Sequence, residues 1–155
     1  MAPTQVSYRT RQARGLAGPL LTVGDASLVV GPPPIFGRER TIPFEMIEGF
    51  CVERIPFRHS PSDPAHLFTI AFREGVKRRV NRWSVDADDR AFQELIAALG
   101  ERRREADFTR LPVSEALARM RVPCHLREVL TGVAIAVGGI GLIVAVMVAL
   151  WYCNP

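Results

Sequence analysis

Lysine is nearly missing from this chain. Of its twenty basic residues only Lys77 is lysine and the rest are arginine, a bias that points to a GC-rich, bacterial coding sequence. Cysteine and histidine are scarce too, at three each. Cys51, Cys124 and Cys153 are far apart and form no CxxC pair, which excludes a zinc module and a disulfide framework and leaves three free thiols. The opening MAPTQVSYRTRQARG has no apolar core, so no cleavable secretory signal is read in it. Twenty basic residues stand against sixteen acidic ones, spread along the chain, and this balance argues against a nucleic-acid partner, which would call for a concentrated patch.

The longest absence is of charge. From Val129 onward no side chain is charged at neutral pH, and Val129 to Tyr152 is mostly apolar. As a helix this stretch would run about 36 Å, against a bilayer core of about 30 Å. The reading is a single C-terminal transmembrane helix over 129–152. Arg110, Arg119, Arg121 and Arg127 lie on its N-terminal side, and the tail 153–155 has no basic residue, so the positive-inside rule predicts a cell-membrane protein with a cytoplasmic N-terminal domain and an exterior C-terminus. Tail-anchored insertion of this single-pass chain follows as an expectation. Gly132, Gly138, Gly141 and Ala145 belong to small-residue rows spaced by four, which would let the span pack on other transmembrane subunits or on a second copy; plain anchoring in the lipid bilayer is the simpler reading. Cys153 would then sit where it could link two chains.

Ahead of this segment the residues divide into a basic, mobile start (1–15), a folded domain (16–106) and a connector (107–128). In the domain, LLTV-GDA-SLVV reads as a hairpin, GPPPIFG as a loop, and RERTIPF, GFCVERI and HLFTIAF as strands, the last with Phe68, Ile70 and Phe72 alternating to one side. Glu74-Gly75 marks a turn into VKRRVNRWSV. There Val80 is out of phase with Trp83 and Val85, which predicts a bulge near Asn81. Asp86 is the predicted N-cap of a helix whose Phe92, Leu95, Ile96 and Leu99 share one stripe. The expected fold class is α+β: one strongly bent antiparallel sheet or barrel of six to seven strands, capped by that amphipathic helix. In the connector a short helix, Ser114 to Arg121 with Ser114 as its cap, has an apolar side of Leu117 and Met120 and a basic side of Arg119, Arg121 and Arg127. It suits either the inner leaflet or packing on the domain.

The succession DASLVV, IFGRERTIPFEMIEGF, a Gly-turned hairpin and DDRAFQELIAAL resembles the bacterial pleckstrin-homology-like (PH-like) domains, over about Leu20 to Arg104. The resemblance rests on an apolar-Pro-apolar-x-x-Ile pattern, here Ile42-Pro43-Phe44-Glu45-Met46-Ile47. It implies a non-enzymatic binding or scaffolding module. Phosphoinositide-binding members carry a basic first hairpin loop, and this chain has Gly24-Asp25-Ala26 there, so inositol-lipid binding is not implied.

No arrangement of residues carries catalysis. His59, Ser60, Asp63 and His66 share a Ser/Pro/Asp loop, where neighbours in sequence seldom converge on one atom, and neither a metal nor another cofactor is expected. Arg73, Lys77, Arg78, Arg79 and Arg82 on the last hairpin, with Arg38 and Arg40 on a neighbouring strand, form the candidate binding face for a protein partner or a headgroup, weighed against an ordinary solvated surface. The functional expectation is a membrane-anchored PH-like scaffolding module. The alternative is a small accessory subunit of a larger membrane complex, packing through its glycine-rich helix.

Overall fold

The structure is a computed structural model, and it describes residues 5–11, 17–32, 38–54, 66–124 and 130–139. The chain divides into two compact units, 1–122 and 123–155.

The first unit is α+β, with seven strands in two antiparallel sheets. Strands β1 (Val6–Arg11), β2 (Ala17–Val23), β3 (Ser27–Val30) and β4 (Arg40–Pro43) form one sheet in that order. Strands β5 (Ile47–Arg54), β6 (His66–Glu74) and β7 (Lys77–Val85) form the other. The expected single bent sheet or barrel is therefore corrected: the sheets are separate and close no barrel among the described residues. Pro43 is the reason the ladder stops, because it has no N–H to donate and is followed by a single 3₁₀ turn, Phe44–Met46. Across this corner Ile42 is buried from the first sheet, and Phe44 and Ile47 are buried beyond it. Alternating apolar residues of both sheets then meet in one core, where Phe68 stacks on Trp83 and meets the rings of Phe50 and Phe92 edge-on.

The basic start is not free. Residues of β1 pair with β2, and Tyr8 is buried with its hydroxyl accepting the Asp86 N–H at 3.1 Å. Nor does β7 bulge at Asn81, since its register against β6 is unbroken from Lys77 to Val85. Val80 is out of phase with Trp83 because it belongs to the opposite side of the sheet.

Helix α1 (Arg90–Arg102) follows, capped by Asp89, whose side chain accepts the Ala91 N–H at 2.9 Å, where Asp86 was expected. Asp86 holds the preceding turn instead. Phe92, Leu95 and Leu99 are buried against the sheets, as an i, i+3, i+7 stripe requires. Helix α2 (Val113–Arg119) starts one residue before Ser114 and has no side-chain cap. Its Ala116 and Leu117, with Met120 and Val122 beyond it, pack on Cys51 and Ala71 of the second sheet, so of the two places expected for this apolar side, inner leaflet or domain, it takes the domain. Burial there pushes the Cys51 thiol up to about 12.

In the second unit, residues 130–139 are helical. Residues 129 and 140–152 of the expected span lie outside the described residues. No helix among the described residues is long and apolar enough to cross a membrane. This overturns the expected transmembrane helix over 129–152, and with it the single-pass, tail-anchored chain with a cytoplasmic domain and an exterior tail. A Cβ added at Gly132 or Gly138 would meet nothing within 4 Å in this single chain. Gly141, Ala145 and Cys153 lie outside the described residues, as do His59, Ser60, Asp63 and Arg127.

Candidate functional site

Strand alternation divides the basic residues predicted to share one face. On β7, Lys77 and Arg79 point to the side that carries Trp83 and Val85 into the core, while Arg78 and Arg82 point to the side that α2 covers. On the first side Glu74 holds two arginines, Arg40 at 2.6 Å and Arg79 at 3.0 Å, and Arg40 also lies 5.0 Å over the Phe72 ring. Hydrogen bonds from Arg40 and then Arg79 hold the Glu74 carboxyl below its ordinary value. Arg38 is exposed ahead of β4 and makes no ion pair among the described residues.

On the α2 side, Glu53 is buried with Arg82 at 3.1 Å and accepts the Thr69 hydroxyl at 2.8 Å. Nearer the hairpin tip Arg73 and Arg78 are directly opposed across the ladder, an arrangement of like charges that is destabilising by itself. Glu48 of β5 resolves it by accepting both, at 2.5 Å each. The Arg73 hydrogen bond, with Arg78 beside it, holds the Glu48 carboxyl below the usual 4.5.

The end of α2 completes the site. The helix closes with two reversed bonds, Arg121 N–H to Ala118 O at 2.9 Å and Val122 N–H to Leu117 O at 2.8 Å. That closure demands a left-handed residue between them, a place glycine usually fills, and here Arg121 fills it at φ 49°. Arg78 reaches across and donates to the carbonyls of Met120 and Arg121, meeting the negative end of the helix. Gly49 makes this approach possible: a Cβ there would lie 2.6 Å from the Phe108 ring and 2.7 Å from Met120 Cγ. Arg119 pairs with Glu115 at 2.8 Å and lies 6.0 Å from the Phe108 ring centre.

The result is an open groove lined by Glu48, Arg73, Val76, Arg78, Arg119 and Arg121. Four guanidiniums share two carboxylates, Glu48 and Glu115, and the Arg121 side chain makes no ion pair or hydrogen bond among the described residues. Such a groove attracts anions, and guanidiniums favour carboxylate or phosphate in a forked geometry. Of the residues predicted from sequence, Arg73, Arg78, Arg119 and Arg121 come together here. Arg40 and Arg79 gather at Glu74, Arg82 is committed to Glu53, and Lys77 stands on the opposite side of the strand. Glu48 was not foreseen; its signal is an acid beside a glycine, just ahead of the apolar run Phe50–Val52. The left-handed Arg121 had a signal too, in Pro123 standing just past a helix that has no glycine to end it. No protein-family model matches this chain and no curated protein is similar to it in sequence, so the chemistry of the groove itself is what bears on function.

Proposed function

We propose that this chain is a non-catalytic binding module on the PH-like plan, and that the groove between the β6–β7 hairpin and the end of α2 receives an acidic segment of a partner protein. Two antiparallel sheets of four and three strands, with a helix following the last strand, support the PH-like resemblance. The observation that carries the binding role is Arg121. A non-glycine residue in the left-handed region costs about 1–2 kcal/mol, and such strain collects at sites where a side chain is needed for something other than stability. The Arg121 side chain stands in the groove beside three other arginines, with charge to spare.

The test is binding of a fluorescent deca-glutamate peptide to the full chain, read by anisotropy at low and near-physiological salt. Affinity should fall with salt. The double reversal Arg119→Glu, Arg121→Glu should weaken binding at least tenfold, whereas Arg90→Glu on α1, where Arg90 pairs with the exposed Glu94, should leave it within twofold. Equal loss at both places would mean diffuse charge attraction and would sink the proposal.

A further inference from the structure

The β6–β7 hairpin has an open side. Strand β7 is the last of its sheet, and Lys77, Arg78, Arg79 and Val80 are all exposed. At its other end β1 comes alongside, through Tyr8 and Asp86, so the free stretch is about four or five residues long, close to a short strand. The turn fixes which main-chain groups are free. Gly75 has φ 61° and Val76 has an ordinary negative φ, the pattern of a two-residue type II′ loop. Glu74 and Lys77 are then the hydrogen-bonded pair that closes the hairpin, and Arg73 opposite Arg78 is the next, non-hydrogen-bonded pair. The N–H and C=O of Arg78, and again of Val80, therefore point away from β6.

An edge with unpaired main-chain groups is a template for another strand, and proteins commonly blunt such edges with charge. Charge of one sign blunts selectively. A second copy pairing through the same edge would set Lys77, Arg78 and Arg79 against like charges, which opposes self-association. An acidic strand meets the reverse. Its side chains would alternate, one set turned toward the groove with Arg119 and Arg121, the other toward Lys77, which makes no ion pair among the described residues. Fully exposed Val76 and partly exposed Val80 offer apolar contact between the charges.

We infer that β7 is a docking strand: an extended acidic segment of a partner protein adds to it as a fourth strand of the β5–β6–β7 sheet, bonding to the main chain of Arg78 and Val80 while its carboxylates enter the groove. This rests on the groove being the binding site, and adds the shape in which the partner binds.

The probe is a ten-residue peptide of alternating glutamate and valine, titrated against the full chain. In an extended strand the glutamate amides point to one edge and the valine amides to the other, so only one set can face β7. Two further peptides carry N-methyl groups on the glutamate amides or on the valine amides. Strand addition requires that one of these two bind at least tenfold more weakly than the parent and the other bind within about threefold of it. Val80→Pro removes an outward N–H without touching the β6 ladder, and should also weaken the parent peptide tenfold while deca-glutamate binding falls less. If both methylated peptides bind as well as the parent and Arg119→Glu, Arg121→Glu still abolishes binding, strand addition is refuted and the acidic groove stands. If neither the parent nor deca-glutamate binds, both readings fail. Tighter binding of a single-stranded decanucleotide, indifferent to Val80→Pro, would overturn the choice of an acidic peptide.

Discussion

Replacing Arg121 with glycine should make the protein more stable and a poorer binder at once. The backbone there is left-handed, at φ 49°, because the closing bonds of α2 to Ala118 O and Leu117 O leave no other conformation for the residue between them. For an arginine this costs about 1–2 kcal/mol, which glycine does not bear. Glycine in turn gives the unfolded chain more freedom, a loss of about 0.4–1 kcal/mol. No ion pair or hydrogen bond of the Arg121 side chain is forfeited among the described residues, so the balance is a gain of about 0.5–1 kcal/mol, or about 2–5 °C in Tm for a domain of this size. Thermal unfolding followed by circular dichroism measures it. Arg121→Ala is the companion, since it removes the same charge and keeps the strain, and it should leave Tm nearly unchanged. Both variants should bind deca-glutamate several-fold more weakly. A lower Tm for Arg121→Gly would show that the arginine side chain contributes more to folding than its backbone costs, and Arg121 would then be no evidence for a binding role.

The Glu53–Arg82 pair, buried with Thr69 on the α2 side of the sheet, should behave as a buried charge pair does: Glu53→Ala should lower stability to urea by about 3–5 kcal/mol. The double variant Glu53→Leu, Arg82→Leu should recover most of that loss, and a double variant no better than Glu53→Ala would mean that packing, not the loss of the charge pair, sets the penalty. Acid should also weaken the fold through Glu48 and Glu74. Both carboxyls are held below 4.5 in the folded chain, so the stability they contribute is complete above the unfolded value near 4.5 and is lost as pH falls through the lower folded values. Glu48→Gln should make the acid limb of a stability–pH curve shallower, and an unchanged limb would refute the assignment of Glu48 as the acceptor for Arg73 and Arg78.

Much of the strand layout was legible because alternation is a direct record of burial. Phe68, Ile70 and Phe72 are buried from β6, and Leu21 opposite Val30 and Val23 opposite Leu28 form the hairpin that GDA separates. Alternation does not say where a ladder ends. Ile42, Phe44 and Ile47 are buried whether the chain continues one curved sheet or turns a corner, and Pro43 with its 3₁₀ turn decides for the corner. It also failed at β1, where arginines alternate with buried Tyr8 and Thr10 and mask a strand as a loose basic segment. The bulge expected at Asn81 had a related cause: Val80 was taken for a core residue displaced by one place, when it is an apolar residue on the other side of an unbroken strand.

The site was harder to read because its parts are distant in sequence and bear on one another through groups the sequence does not advertise. A helical side made of Leu117 and Met120 suits a lipid surface and a protein surface equally well. What decides is a bare patch on β5, where Gly49 has no Cβ to hold Phe108 and Met120 away. Once α2 lies down there, its end comes within reach of Arg78, and the arginines of the connector and of the hairpin become one set around Glu48. Folding then works against its own electrostatics, since it gathers four guanidiniums about two carboxylates and strains the backbone of one of them. A site selected for stability alone would place glycine at 121, or an acid in reach of Arg121. Neither is there among the described residues, and the charge left over is the kind that an acidic partner, in binding, would neutralise.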